Sequence, residues 1–587
     1  MGLVRNQILI RLFVLLAGAA VLFLAGINWG LPSRSTDAFL FGGARAWEGK
    51  QILVLAGNVE ASAGRAADVS SKPLDRRDRA VVVVVDDDRD RARIVRRYRL
   101  MSYQPDEFTT FKSLSEMRPG RRDLDPRMYK YGGLWVYPVG ALLKAASAAR
   151  LVRVTPDAAY YLDHPEAFGR FYVVARLYSA LWGLIGVAAV FLLVRYISAD
   201  TAAATCAALC FMLMPVVVTA AHEAKPHLAG TTLMLLAVFA AARWVENGRR
   251  RWAIGAAILC GAAVGVVPSA MVALLLLPAM QVLRTRLGDR PAPPLRTRDS
   301  GLSTSLRVAG LAIISVLVYC MTNPYVPINL VRNRAVLRSN FGNSSDFYHS
   351  SGLGLPHALL LVGLGASFVL AIVGGIGAVA LAVRAARKGV TDAQESRRRA
   401  AGGLLAVVTL PVGLAFVVFA AGQPADYARF ALPFDVLLAI EGVVAIATFV
   451  RRPAGQRVCF GLLVGTTAFT GLQYVGGFVR DARPQTSRTV AAARIAGMLP
   501  KDLAVLASRE EPAPWSLPPV DLFRWRIVLP PRGFPADRAY SDAAITVGPA
   551  DCPLGSGVSA VFLSTPISWA DKPFPILTGR EYLKPSR

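Results

Sequence analysis

Apolar runs recur along this chain at a length that a lipid bilayer explains. The first, "RLFVLLAGAAVLFLAGI", stands near the N-terminus. Others follow at approximately 171–195, 202–220, 225–243, 252–267, 269–283, 307–323, 357–383, 401–420, 433–450 and 458–478. Each approaches the roughly 20 residues that a helix needs to cross a hydrocarbon core. Inside lipid the backbone must satisfy its own polar groups, so such runs are helices. They predict about eleven spans. Only 18% of the 587 residues are charged and 54% are hydrophobic, too apolar a balance for a soluble surface. The expected fold class is an all-α polytopic membrane protein.

A net charge of +27 would suggest nucleic acid as a partner in a soluble protein. Here the arginines cluster in "ENGRRRW", "RTRLGDRPAPPLRTRDS", "RAARKGVTDAQESRRRA" and "RRPAGQR", between apolar runs. That pattern marks cytoplasmic loops beside an anionic membrane surface, and no aromatic-basic module accompanies it. The partners expected are membrane lipids and no nucleic acid. The alternate loops, "TAAHEAKPHLAG", the long one beginning "NPYVPINLVRNR", and "AGQPADYARFALP", then fall outside. The N-terminus reads as an uncleaved first span: its apolar stretch is long, and no A-x-A site closes it. Arg5 and Arg11 hold its start in the cytoplasm, and the last span leaves the C-terminus outside. Five of the six cysteines fall inside apolar runs, in no disulfide or metal pattern.

Residues 1–479 are expected to form the transmembrane domain, with 31–169 as a long first outer loop. Within that loop, about 50–100 reads as a charged insertion, with "QILVLAG" and "AVVVVVDDD" as two strands. The segment 132–152 is broken by Gly132, Gly133, Pro138 and Lys144, and reads as a surface-lying or re-entrant helix. From 480 to 587 the composition turns polar and proline-rich, and predicts a small extracytoplasmic α/β domain: a helix at "TSRTVAAARIAGMLP", then short strands. No internal repeat is evident.

Three outer loops hold the unusual polar residues. In "YQPDEFTTF", Pro105 suits the start of a helix, and Asp106 and Glu107 then occupy its first turn, where carboxylates are favoured by the helix dipole. A structural cap and a catalytic pair are both open on these residues alone. Adjacent side chains on a helix point about 100° apart, so the two acids should serve different partners instead of one chelated ion. In "AHEAKPHLAG", His222, Glu223, Lys225 and His227 gather at one membrane boundary. Their spacing does not suit zinc; a substrate-facing cluster or an interfacial cap does. In "QPADYARFALP", Arg429 is placed to pair with Asp426 or to face a phosphate. Arg176, a few residues into an apolar run, is a cation that should face the bundle interior. Carboxylates and cations on one side suit transfer from a lipid phosphate. A carboxylate deprotonates the acceptor hydroxyl, and cations stabilise the departing phosphate.

The order "NWGLP", "PDE", "DLDPRMYKYGGLWVYP", "ARLYSALWGLIGVAAVFLLVR", "EAKPHLAG", "TNPYV", "DYARFALP" and "SRTVAAARIAGMLP" resembles bacterial membrane glycosyltransferases of the GT-C type. Among them it is most similar to glycosyltransferase family 39, the relatives of protein O-mannosyltransferases and aminoarabinose transferases. The likeness covers most of residues 1–500. It implies an inverting hexosyl- or pentosyltransferase that takes a sugar from a polyprenyl-phosphate donor to a glycan, lipid or protein acceptor of the cell envelope, at the outer face of the cytoplasmic membrane. Asp106 matches the family's acidic residue of the first outer loop, with Glu107 beside it as a second catalytic candidate. Lys225, Arg429 and Arg176 become candidate donor-phosphate ligands, and His222, Glu223, His227 and Tyr131 candidate substrate contacts. Some members of the superfamily use a divalent metal, magnesium or manganese, and the resemblance leaves that open here. The sequence departs from the family in carrying "HEAKPH" where relatives are often acidic, and in the insertion at 50–100. High alanine, glycine and arginine usage suggests a bacterial source. Two other readings remain: a transporter or flippase of lipid-linked sugar, for which repeated halves and broken helices would be expected, and a non-catalytic envelope-assembly protein.

Overall fold

The computed structural model describes residues 2–57, 83–85, 87–287, 301–338, 340, 354–386, 393–422, 428–497, 504–508, 518–529, 545–549, 561–564 and 580–585. Among the described residues, nine helices are long and apolar enough to cross a membrane, or ten if one bent pair is counted as a single span. The protein is an all-helical multi-pass membrane protein in its apolar part. The one expected span outside that count, 252–267, forms the helix Arg250–Val266. At seventeen residues it is about 26 Å long, at the lower edge of what a bilayer core needs.

Two runs that read as continuous are broken. The run 202–220 divides into Thr201–Leu213 and Pro215–His222, bent by 57°. Met214 is extended there because the following proline excludes it from the helical region. The run 357–383 divides into Gly354–Ala366 and Phe368–Ala386, with Ser367 between them at φ 82°. Sequence periodicity carries no trace of that second break, because no proline marks it.

The centre of the bundle is the 34-residue helix Pro165–Ser198. Proline at its first position costs no hydrogen bond, and Ala199, left-handed at φ 56°, ends it. Its buried stripe includes Tyr172, Ala175, Arg176, Ser179, Gly183, Gly186, Val187, Val190 and Val194. Against it lie the first span and the helices that begin at Thr201 and His227. The helix Gly133–Ala148 has sixteen residues and contains Pro138, too short to cross the membrane. It buries Trp135, Val136 and Val139 while Leu142 stays exposed.

The first loop is sewn to the bundle and to the segment after Thr322. Gly132 N–H donates to Val266 O at 2.8 Å and Gly133 N–H to the Asn323 side chain at 2.7 Å. Asp125 accepts from Tyr129 at 2.7 Å and from Asn329 at 2.8 Å, and Asn340 bonds Tyr129 N–H at 2.9 Å. These bonds fix the stretch "DPRMYKYGG" against the bundle.

Among the described residues, six strands pair in one sheet of order β1-β3-β2-β4-β6-β5. They are β1 (Val83–Val85), β2 (Ala504–Ser508), β3 (Trp525–Leu529), β4 (Ile545–Pro549), β5 (Val561–Ser564) and β6 (Arg580–Pro585). Strands β2, β3 and β4 are parallel, and β6 runs antiparallel to both β4 and β5. Edge strand β1 comes from the insertion and runs antiparallel to β3, Val83 opposite Leu529. The other strand expected in the insertion is absent: "QILVLAG" is helical over Gly49–Leu55, packed against Ala158–Asp163. Four consecutive β-branched or leucine residues, Ile52 to Leu55, favour a strand locally, and tertiary packing overrides that preference.

Candidate functional site

The stretch that begins at Ser102 folds as a tight 3-10 turn, Pro105–Glu107, followed by the helix Phe108–Ser115. The two carboxylates leave this turn in different directions. Glu107 points inward and is fully buried. Arg176 grips it with two parallel bonds, Nε to Oε1 at 2.8 Å and Nη2 to Oε2 at 2.7 Å. Ala224 N–H donates to the same Oε1 at 2.6 Å, and the Ser102 hydroxyl to Oε2. The remaining Arg176 bonds go to Ile27 O at 2.9 Å and Trp29 O at 2.7 Å, and its guanidinium lies 4.8 Å over the Trp29 ring. This pair ties the first span's exit, the first loop and the "HEAK" loop together. Two of the residues singled out in the sequence thus meet each other. Arg176 faces the bundle interior as a buried cation should, but it meets Glu107 there, and both are saturated by protein.

Asp106 points the other way, and its side chain is 46% exposed. Arg429 Nη1 stands 3.0 Å from Oδ2 and Lys225 Nζ 3.6 Å from the same oxygen. Lost hydration opposes ionisation here, but Lys225, Arg429 and Lys130 outweigh it and hold the carboxyl at about 2. The Lys225 ammonium, almost fully buried, also meets Glu223 Oε2 at 3.2 Å. Gln104 locks this arrangement: its Nε2 donates to Glu223 Oε1 at 3.2 Å, and its Oε1 accepts from Asp106 N–H at 3.3 Å. Asp426 lies outside the described residues; Arg429 is bonded to Asp106.

The histidines divide in the same way. His222 is buried in packing: its ring stacks on Phe478 at 4.3 Å, and its nitrogens face Val218 O and Ala25 O at 2.8 and 2.9 Å. Its ring nitrogens thus face backbone carbonyls and lie away from Asp106. His227, the first residue of its helix, stays at the site, edge-on to Phe430 at 5.5 Å and to Tyr131 at 6.4 Å. Tyr131 lines the same corner, and His227 Nδ1 lies 3.4 Å from the Ser269 hydroxyl.

Sequence reasoning missed Lys130 and Gln104. Lys130 lies within electrostatic reach of Asp106, Arg429 and Lys112; burial lowers its pKa, Arg429 and Lys112 push the same way, and Asp106 opposes them. Nothing distinguishes Lys130 among the many basic residues of its loop. The bonds from Tyr129, Gly132 and Gly133 bring it in.

Among the described residues, no group of three or more His, Cys, Asp or Glu side chains is arranged to hold a metal ion. The donor set at Asp106 does not suit a divalent cation either. Asp106 and Glu223 both face Lys225, and Arg429 and Lys130 add two more cations, a balance that favours an anion over a dication.

Fold and site together define a class: a multi-pass membrane protein with an anion-attracting cluster where its loops meet the ends of its helices. Residues 166–321 match the model of a family described as dolichyl-phosphate-mannose-protein mannosyltransferase. That match covers 156 of the 587 residues. Among solved structures, the chain is similar to ArnT from Cupriavidus metallidurans bound to undecaprenyl phosphate. Identity there is 15% over 84% of this chain and 96% of that one, with a TM-score of 0.43. It is also similar to the archaeal oligosaccharyltransferase AglB from Archaeoglobus fulgidus in complex with an inhibitory peptide and a dolichol-phosphate. There identity is 13% over 85% of this chain and 69% of that one, with a TM-score of 0.38. No curated protein sequence matches the chain.

Proposed function

We propose that this protein is an inverting glycosyltransferase that moves a sugar from a polyprenyl-phosphate donor to a hydroxyl of an envelope acceptor, at the outer face of the cytoplasmic membrane. The observation that carries this reading is one half-exposed carboxylate, Asp106, within reach of Lys225, Arg429 and Lys130. The cations bind the donor phosphate, and the lipid tail explains why they stand at a membrane boundary.

The donor's phosphate competes with Asp106 for Arg429 and Lys225. As the cations turn to the phosphate, Asp106 loses the charges that hold its proton affinity down, and becomes a better base. It then takes the proton of the acceptor hydroxyl while that oxygen attacks the anomeric carbon. The bond from the sugar to the phosphate oxygen breaks, and its electron pair leaves with the polyprenyl phosphate. Lys225, Arg429 and Lys130 stabilise that charge. Glu223, bonded to Lys225 and Gln104, sets the lysine's direction. His227 and Tyr131 border the acceptor side. Glu107 and Arg176 hold the loop and take no part in the transfer.

The broken helix at Met214–Pro215 is the feature that favours a carrier of lipid-linked sugar. The charged groups, however, stand in the loops at the helix ends, away from the middle of the spans. Replacing Asp106 by Asn separates the readings. The transferase should lose ~10²–10⁴-fold in rate, with lipid-linked sugar accumulating and envelope glycan falling at normal membrane levels. Unchanged glycan and lipid intermediates would sink the proposal.

A further inference from the structure

We infer that the chain beyond the last span is a working part of the active loop, with Thr486 and Arg488 as positioning residues that hold Tyr103 and, through it, Asp106. The functional half of this role rests on the transferase reading above.

Tyr103 is held at three points immediately before the site. Its N–H donates to Gly30 O at 2.8 Å, and Gly30 N–H in turn to Asp481 O, at the end of the last span, at 3.0 Å. Gly30 is left-handed at φ 55°, and a Cβ there would stand 2.7 Å from the Tyr103 side chain. The Tyr103 hydroxyl shares a hydrogen bond with Thr486. The Arg488 guanidinium lies 4.4 Å over the Tyr103 ring, and the Arg488 residue is only 2% exposed. A buried arginine spent on a tyrosine face is costly to place unless the ring must be held.

The chain leading into Tyr103 is docked on the same C-terminal region. Strand β1 forms the edge of the sheet through β3. The helix Asp88–Leu100 follows it, and Arg91 Nε donates to Leu522 O at 2.9 Å, with its guanidinium 5.3 Å over the Phe523 ring. Leu522 N–H donates to Leu40 O at 3.0 Å, and Phe523 packs against Phe41 and Trp47. Gly42, at φ 54°, admits Asp521 so closely that a Cβ would stand 1.8 Å from its Oδ2. The segment from Val83 to Tyr103 is thus anchored at both ends on residues between Asp481 and Leu529. Gln104 and Asp106 follow directly. The insertion is an arm that carries the position of the C-terminal region to the site, and a displacement of about 1 Å there is enough to impair transfer.

The test uses the full chain in membranes with Arg488→Met, Arg488→Lys and Thr486→Val, and undecaprenyl phosphate as the binding probe. Arg488→Met should lower turnover of the membrane's lipid-linked sugar about tenfold or more while undecaprenyl phosphate affinity stays within about twofold, a change in rate and not in binding. Arg488→Lys should recover most of that rate, because it keeps a cation over the ring. Thr486→Val should lose less than Arg488→Met. Wild-type turnover in Arg488→Met would overturn the inference. So would equal losses in the Met and Lys variants accompanied by lost phosphate binding, which mark a folding defect. If Asp106→Asn, run alongside, leaves turnover unchanged, the transferase reading fails separately. Trypsin then decides: Arg488→Met should speed cutting at Arg118, Arg121 and Arg122, and an unchanged rate would dismiss the clamp.

Discussion

Asp106 and Glu107 leave one 3-10 turn toward different surroundings, and the contrast separates structure from chemistry. Glu107 has Arg176, Ser102 and Ala224 N–H as partners and is fully buried. Its ion pair is closed to any ligand. Asp106 has Arg429 and Lys225 on one oxygen and remains open on its other side. The same residue class is thus used once to fasten the loop and once, under the proposed function, to meet a substrate. What divides them is how many partners each has, and whether those partners have somewhere else to go. Arg176 is committed to Glu107, Ile27 and Trp29; Lys225 and Arg429 stand where a phosphate can claim them.

The contrast can be broken most forcefully from the buried side. Arg176→Ala leaves Glu107 buried without its cation, and should cost about 3–5 kcal/mol of stability, read as poor recovery from membranes and early thermal unfolding. Replacing both partners at once, Glu107→Leu with Arg176→Met, should restore part of that loss, because no bare charge then remains. Asp106→Asn should do the opposite: full recovery and unchanged melting, with transfer reduced ~10²–10⁴-fold. Next come the cations. Lys225→Met or Lys130→Met should weaken undecaprenyl phosphate binding by about tenfold each, roughly 1.4 kcal/mol, with the effect shrinking at high salt. The smallest effect concerns acid. The Asp106 carboxyl is depressed in the folded protein to about 2, from an ordinary value of 3.8. It therefore contributes stability that is fully present above pH 4 and is lost as pH falls toward 2. Asp106→Asn should flatten that limb of the melting curve only slightly, because a half-exposed pair is screened by water.

Much of this was legible in the sequence, and the exceptions are physical. The spans showed because lipid imposes length and apolarity together. The divergence of Asp106 and Glu107 followed from their adjacency on one turn. The break at Met214 was marked by Pro215, whereas the one at Ser367 left no mark. Lys130 was one lysine among many cations, and the bonds that fix its neighbours Gly133 and Tyr129 reach Asn323 and Asn340, 190 and 211 positions further along the chain. The partner of Glu107 was equally hidden. A lone arginine in an apolar run must face inward, but nothing in its neighbourhood says what it meets. Strand β1 was legible as a strand from its valines, yet its partner β3 lies on the far side of the whole bundle in sequence.

The Glu107–Arg176 bond has a consequence for how the molecule is made. Its two ends lie 69 residues apart, and a ribosome delivers the acid first. Until the helix carrying Arg176 has been synthesised, the carbonyls of Ile27 and Trp29 at the exit of the first span lack their donor, and Glu107 lacks its cation. That helix in turn cannot settle in lipid with its guanidinium bare. Neither half of the amino-terminal region is therefore finished without the other, and the order of synthesis becomes an order of assembly. A nascent chain that ends between the two residues holds Glu107 without its cation.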